Sequence, residues 1–136
     1  MDTMELRVSY NGILYNCAVS EKKKDIQLPN NVEAVWFDAF NECTHIERIF
    51  LNEGLRYIKG GAFLECTSLK TIFIPRSVMR INVFDYQYIE NCQAGGCKGG
   101  FSEFRNAPND FKVLGHKNSF AEKYCEHFEI AFEVVE

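Results

Sequence analysis

The sequence lacks any apolar stretch that approaches the roughly 20 residues of a membrane-spanning helix. It also has no low-complexity tract, no block of five like charges and no basic excess, since 19 acidic residues outnumber 15 basic ones and the net charge is -4. A chain without a basic surface lacks the electrostatic attraction that dominates binding to nucleic acid. We therefore expect no nucleic-acid partner and no insertion into a membrane.

A secretion signal is also missing from the start of the sequence. The first twelve residues, MDTMELRVSYNG, carry acidic residues where a signal peptide has basic ones, and they contain no apolar core of about seven residues. The length of 136 residues suits one domain, which can bury a core without help from a disulfide or a metal. The sequence predicts a single domain and no signal peptide in this chain.

What the sequence does contain is a repeat of 23 residues, which is clearest when residues 39–61 are compared with residues 62–84. Eight of the 23 positions are identical, and an earlier half-repeat begins at Ile26. Such units bury their apolar faces only by stacking on one another. The matched positions form ladders of similar side chains: Ile26, Ile49 and Ile72; Leu28, Leu51 and Ile74; Val32, Leu55 and Val78; Val35, Ile58 and Ile81; Ala39 and Ala62; Phe40, Phe63 and Tyr86; Ile46 and Leu69.

Each unit combines two kinds of local pattern. Ile72 and Ile74 alternate with Thr71 and Phe73, which predicts a short strand with the isoleucines facing inward. The segment Ala-Phe-x-x-Cys-x-x-Leu spaces its apolar residues as on one face of a helical turn. We expect parallel strands on one side and short helices on the other, wound into a right-handed coil.

Both ends of the sequence carry signals of capping elements. Asn11 and Gly12 separate two strand-like segments, residues 5–10 and 13–19, which predicts a hairpin that covers the first repeat. Ser119 and Glu122 form a capping box, which predicts a helix that runs to about His127. The alternating apolar residues after this helix predict a final edge strand.

The pattern A-F-x-x-C-x-x-L-x-x-I-x-I-P-x-S-V-x-x-I, complete in residues 62–81, resembles the BspA-type leucine-rich repeat. The resemblance covers about residues 26–89, and the strand and helix after residue 111 resemble the closing elements of such arrays. It implies an α/β fold, a right-handed leucine-rich-repeat solenoid with a parallel sheet. The expected parts are a hairpin cap (1–25), repeats (26–89), an irregular insert that fits no repeat (90–110) and a strand-helix cap (111–136). The implied function is a non-enzymatic protein-interaction module of a bacterial cell-surface or secreted protein, active in adhesion or host contact.

The cysteines do not form a predicted redox or metal centre. Cys43 and Cys66 occupy the same repeat position, where we expect small buried packing residues and no disulfide. Cys92 and Cys97 supply only two ligands where a structural zinc uses four, so we expect no metal and no cofactor. A disulfide between them, or a small-ligand or metal-binding unit in this glycine-rich segment, stays open as an alternative.

No combination of a nucleophile, a base and an acid is visible, and we expect no catalytic residues. Cys125 and His127 lie two positions apart on the predicted helix and therefore point to different faces. The expected functional surface is the outward side of the parallel sheet, where Gln27, Phe50, Phe73 and then Lys112 form a column. Two exposed phenylalanines on neighbouring strands make an apolar patch typical of a binding surface.

Polar residues beside that column, among them Asp25, complete the predicted surface as its rim. The predicted partner-binding residues are Gln27, Arg48, Phe50, Thr71, Phe73 and Lys112. Three alternatives stay open. Residues 90–110, which include Phe101 and Phe104, fold over the rings; a homodimer covers them; or the chain is a structural fragment of a longer array. The sequence does not identify the protein partner.

Overall fold

The computed structural model describes residues 6–20, 22–91 and 102–135. Within these ranges the chain forms eleven strands and two helices. The strands are β1 (Leu6–Val8), β2 (Ile13–Cys17), β3 (Asp25–Gln27), β4 (Ala34–Val35), β5 (Arg48–Phe50), β6 (Tyr57–Ile58), β7 (Thr71–Phe73), β8 (Arg80–Ile81), β9 (Phe84–Asp85), β10 (Lys112–Gly115) and β11 (Ala131–Val134). The helices are α1 (Tyr86–Asn91) and α2 (Phe120–Phe128).

The strands form two sheets that share one core. The front sheet has the order β11-β10-β7-β5-β3, and all of its pairings are parallel. The back sheet has the order β1-β2-β4-β6-β8-β9, with antiparallel pairings only at its two ends. Each repeat therefore contributes one strand to each sheet: β3 and β4, then β5 and β6, then β7 and β8.

The inward ladders of the front sheet follow the predicted repeat. Ile26 pairs with Ile49 and Ile49 with Ile72, and each of these side chains is at most 2% exposed. Val113 extends the ladder into β10 and is fully buried. Full burial of one such aliphatic side chain contributes about 1.5 to 3 kcal/mol, so the stack of repeats carries much of the stability.

The predicted short helices are wrong. Residues 39–46 and 62–69 form consecutive tight turns, in which Cys43 N donates to Phe40 O at 3.2 Å and Cys66 N donates to Phe63 O at 3.1 Å. Bonds three residues apart do not build an α-helix, whose bonds span four residues. The side of each repeat opposite the front sheet is instead supplied by the short strands of the back sheet, which the sequence pattern did not reveal.

The prediction that residues 90–110 fit no repeat is wrong for residues 102–110. Phe104 stacks on Phe63 with ring centroids 5.6 Å apart, and Asn106 Nδ2 donates to Leu64 O at 2.9 Å. Both contacts have the same offset as the pairing of Ile72 with Val113, which is 41 residues instead of 23. The segment is thus the turn of a further repeat, displaced along the sequence by 18 extra residues.

The assignment of Tyr86 to the phenylalanine ladder is also wrong. Tyr86 is 40% exposed, whereas Phe104 is 5% exposed and stacks in line with Phe40 and Phe63. The cause is a tight hairpin between β8 and β9, with Asn82 at φ 56° in its turn, which ends the back sheet and redirects the chain into α1.

Both predicted caps are present. β1 and β2 pair antiparallel on either side of Asn11 and Gly12, and the hairpin joins the back sheet next to β4. At the other end, Ser119 Oγ accepts from Glu122 N at 3.3 Å, and Glu122 Oε1 accepts from Asn118 N at 2.7 Å. These bonds satisfy donors that a helix start otherwise leaves unpaired. β11 is the predicted edge strand and pairs with β10.

Candidate functional site

The candidate site is the front face, which we define as the outward side chains of β3, β5, β7, β10 and β11. Because successive side chains of a strand point to opposite sides, the pairings arrange the outward residues in two columns. The first column is Gln27, Phe50, Phe73, Leu114 and Glu133. The second column is Asp25, Arg48, Thr71, Lys112 and Ala131.

The structure brings all six predicted residues onto this face but changes the place of one. Lys112 pairs with Thr71 and so belongs to the second column, not to the column of the phenylalanines. Leu114 lies beside Phe73 instead. Alignment of Val113 with Ile72 as one inward ladder would have predicted this register, because it shifts every outward residue of β10 by two positions.

Two aromatic rings form the apolar centre of the front face. Phe50 is 39% exposed, and Phe73 beside it is half-buried. The ring of His116 lies edge-on to Phe73, with ring centroids 5.7 Å apart and planes at 84°. His116 therefore shields part of Phe73 and leaves Phe50 as the more accessible ring, a difference that sequence reasoning missed.

A depression of about 360 Å³ adjoins these rings at the carboxyl ends of β3, β5 and β7. Its lining includes Phe50, Phe73 and Gln27 together with Asn30 and Asn52 from the turns that follow the strands. Aromatic carbon and amide groups thus meet in one concave surface. A mixed lining of this kind suits a ligand that buries an apolar group and forms a few hydrogen bonds.

Asn52 gives this depression a polar feature that the sequence did not suggest. The residue is 5% exposed, and its Nδ2 donates to Val32 O at 2.8 Å and to Glu53 O at 3.1 Å. Its Oδ1 is buried and has no hydrogen-bond partner in the described part of the chain. An unpaired buried acceptor is costly, which makes this amide oxygen a candidate to receive a hydrogen bond from a ligand.

Charged pairs form the rim of the front face. Arg48 Nη1 lies 3.2 Å from Asp25 Oδ1, and Lys112 Nζ lies 2.5 Å from Glu133 Oε1. All four side chains are about half exposed, so these ion pairs contribute little to stability. They do place charges of both signs around the two rings, which is the arrangement expected around the centre of a protein interface.

The described part of the segment after α1 does not cover the rings. Phe104 points into the core and contacts Phe63, Phe111 and Tyr124. Phe101, Cys92 and Cys97 lie outside the described residues, and so does the disulfide or ligand unit considered for that segment. Among the described residues, the rings of Phe50 and Phe73 are screened only by their neighbours on the front face.

The described cysteines form no reactive centre. Cys43 and Cys66 are free and buried, as the repeat predicts, and Cys17 extends their series, with Cys43 Sγ at 3.5 Å from Cys17 O. The hydrogen bond with Cys43, together with burial, raises the pKa of Cys17. Burial also raises the pKa of Cys66 to about 12. Neutral, buried thiols are poor nucleophiles, so these residues act in packing.

Two further kinds of site were sought in the described ranges. No group of three or more histidine, cysteine, aspartate or glutamate side chains there could hold a metal ion. No helix in the same ranges is long and apolar enough to cross a membrane.

A second aromatic surface lies on the back sheet. Tyr57 is 38% exposed and Trp36 is 37% exposed, and the ring of Trp36 lies 5.0 Å from Lys59 Nζ. Tyr57 and Phe50 belong to the same repeat and have nearly equal exposure, so the back sheet offers a matched control for tests of the front face.

Residues 3–99 match the BspA type leucine rich repeat region, in six copies. The chain belongs to this family. Leucine-rich repeats of this kind generally act as non-enzymatic modules for interaction with other proteins, which agrees with the lack of a nucleophile and base pair on the front face. A comparison with curated proteins finds no match.

Proposed function

We propose that the protein is a non-enzymatic module that binds a protein partner through its front face. The observation that carries this proposal is the side-by-side placement of Phe50 and Phe73, next to a depression of about 360 Å³ and inside a rim of charged pairs. Binding energy in protein interfaces concentrates on a few central aromatic residues surrounded by polar ones. The front face has this composition.

The shape of the molecule supports a protein as the partner. We propose that the stacked repeats form a short right-handed solenoid, in which parallel strands present a broad and nearly regular surface. The five strands of the front sheet offer two columns of outward side chains, not a deep pocket. A surface of this breadth suits the large contact area of a protein interface better than a small molecule.

The family supports a more specific role. We infer that the partner is a protein met at the cell surface or outside the cell, as in adhesion or contact with host proteins. This role follows from membership in the BspA-type family and from the exposed interaction surface. Its contacts are formed by Phe50 and Phe73 at the centre and by Gln27, Arg48, Thr71 and Lys112 around them.

The test compares Phe50→Ser with Tyr57→Ser, two exposed aromatic residues of the second repeat on opposite sheets. The intact chain is immobilised, proteins that bind from extracellular-matrix and cell-surface extracts are identified by mass spectrometry, and the purified partner is titrated against each variant. We expect Phe50→Ser to weaken binding about tenfold or more and Tyr57→Ser to leave it unchanged. Circular dichroism checks that both variants fold.

Equal loss in the two variants, or none in either, would contradict the proposal. Sedimentation of the intact chain over a range of concentrations separates a further outcome: a dimer that Phe50→Ser dissociates would show that the front face binds a second copy of the chain. An unchanged monomer leaves the heterologous partner as the occupant.

A further inference from the structure

The two sheets end at different places at the N-terminal end of the molecule. In the back sheet, β2 and β1 extend two strands beyond β4, which belongs to the first repeat. In the front sheet, β3 belongs to the same repeat and is the last strand among the described residues. The back sheet therefore continues past the first repeat, and the front sheet has no described strand opposite that continuation.

The backbone of β3 has unpaired groups on its outer edge. Arg48 N donates to Lys24 O at 3.1 Å, and Leu28 N donates to Phe50 O at 3.0 Å. Alternate residues of a strand bond to the same neighbour in a parallel ladder, so the N–H and C=O groups of Asp25 and Gln27 point away from β5. These four groups form the hydrogen-bonding pattern that an added strand requires.

An apolar hollow lies beside this edge. It has a volume of about 360 Å³ and is lined by Leu6, Lys23, Asp25, Ile26, Gln27 and Phe50. Leu6 comes from β1 of the back sheet and packs against the core although it is only partly buried. A side chain placed one strand beyond Ile26 would contact Leu6, and the inward ladder would gain another member.

The charge at this edge differs from that of the whole chain. Lys22 and Lys24 are exposed immediately before β3, whereas the chain has a net charge of -4. A strand with acidic residues at the matching positions is attracted to these lysines, while a basic strand is repelled. Lysines next to an edge strand also oppose pairing between two copies of this edge, because like charges then meet.

We propose that β3 is an acceptor edge for an extended acidic peptide segment of a protein partner. The segment adds to the front sheet as a strand, bonds to the backbone of Asp25 and Gln27, places an apolar side chain against Leu6, and directs its acidic residues to Lys22 and Lys24. This edge is distinct from the front face, since it binds through backbone groups in the plane of the sheet.

The test uses random dodecapeptides displayed on phage and selected on the intact chain. We expect enrichment of peptides with alternating apolar residues and a negative charge, whose affinities are then measured by fluorescence anisotropy. Gln27→Pro removes an N–H that the fold does not use, at an edge position that tolerates proline. We expect this variant to weaken binding about tenfold or more. Gln27→Thr, which keeps the N–H, is the matched control.

A second measurement does not depend on a protein variant. Each selected peptide is synthesised with a methyl group on one backbone nitrogen at a time. Methylation of the amides that face β3 should abolish binding, whereas methylation of the alternate amides should not. Lys22→Glu combined with Lys24→Glu should weaken acidic peptides and reduce the salt dependence of their binding.

The outcomes separate the two surfaces. Phe73→Ser changes the front face but not the hollow beside β3, because Phe73 does not line it. Binding lost in Gln27→Pro and kept in Phe73→Ser supports the acceptor edge. Binding lost only in Phe73→Ser supports the front face and overturns the acceptor edge. No enrichment, or peptides insensitive to both Gln27→Pro and backbone methylation, also overturns it.

Discussion

Asn52 shows how one side chain can replace a residue type that its neighbouring repeats share. Pro29 and Pro75 occupy the equivalent position in the first and third repeats. Asn52 instead sends its Nδ2 to Val32 O at 2.8 Å and Asn30 O at 3.4 Å, both in the turn of the preceding repeat. The amide thus links two repeats through carbonyl groups that the turn leaves available.

Removal of this amide should destabilise the protein. We expect Asn52→Ala to lower the free energy of unfolding by about 1 to 3 kcal/mol, because buried carbonyl groups lose their donor. Urea denaturation followed by circular dichroism measures the change. Asn30→Ala is the control, since the side chain of Asn30 is exposed and only its backbone oxygen takes part. Equal stability of Asn52→Ala and wild type would show that the unpaired Oδ1 already offsets these bonds.

Glu103 is a buried acid whose charge works against the fold. It is 2% exposed, its Oε1 accepts from Gly61 N at 2.8 Å, and burial raises the pKa of its carboxyl group above the usual 4.5. A raised pKa in the folded state means that the folded protein holds the proton more tightly than the unfolded chain. The contribution of Glu103 to stability is therefore present below about pH 4.5 and is lost as the pH rises through the folded pKa.

The variant Glu103→Gln should reveal this loss. Glutamine keeps an oxygen acceptor for Gly61 N but cannot ionise, so we expect higher stability than wild type at pH 7 and no difference near pH 4. Urea denaturation at both pH values measures it. Glu53→Gln at an exposed position should change stability by less than about 0.5 kcal/mol at either pH. A gain of the same size at both pH values would rule out ionisation as the cause.

At the scale of secondary-structure elements, the turns show where sequence patterns become ambiguous. Apolar residues at the spacing of Phe63, Cys66 and Leu69 fit one face of a helix, but a series of tight turns buries the same positions. Nothing in the spacing separates the two. The back sheet was missed for a related reason: β4, β6 and β8 have two residues each, too few to display an alternating pattern.

The turn at residues 102–110 depends on Phe104, which joins a stack of rings. Phe40, Phe63, Phe104 and Phe111 follow one another with ring centroids 5.0 to 5.6 Å apart. We expect Phe104→Ala to lower the free energy of unfolding by about 3 to 5 kcal/mol, since it leaves a cavity in this stack. The control is Asn109→Ala in the same turn, where the side chain is exposed. Denaturation midpoints that coincide for the two variants would mean that the turn is not part of the core.

Most of the molecule's plan could be predicted from the sequence, because inward ladders, hairpin and helix cap each leave a local signal. Residues 102–110 could not be placed, since the 18 residues added before them break the fixed period that reveals a repeat. The front face was predicted down to Phe50 and Phe73. The register of Lys112, the contact of His116 with Phe73 and the unpaired amide oxygen of Asn52 depend on three-dimensional packing.

The whole molecule should unfold as one unit. Its buried apolar residues form a single cluster from Leu14 in the hairpin to Tyr124 in α2, so no repeat can lose its neighbours without exposing its own core. Trp36, the single tryptophan, reports on the first repeat, and far-ultraviolet circular dichroism reports strongly on α2. We expect the two signals to give the same urea midpoint. Separate midpoints would show that the N-terminal repeats and the C-terminal cap unfold independently.

The displaced repeat makes the protein a natural carrier of inserted sequence. Between Ile72 and Val113 the chain covers 41 residues, yet the two residues pair as if they were one ordinary repeat apart. The closure entropy of a flexible loop grows only with the logarithm of its length, at about 0.6 kcal/mol for each doubling. The corner between α1 and residue 102 is therefore a place where evolution, or a protein engineer, can exchange a whole peptide or small domain while the strands on either side keep their register.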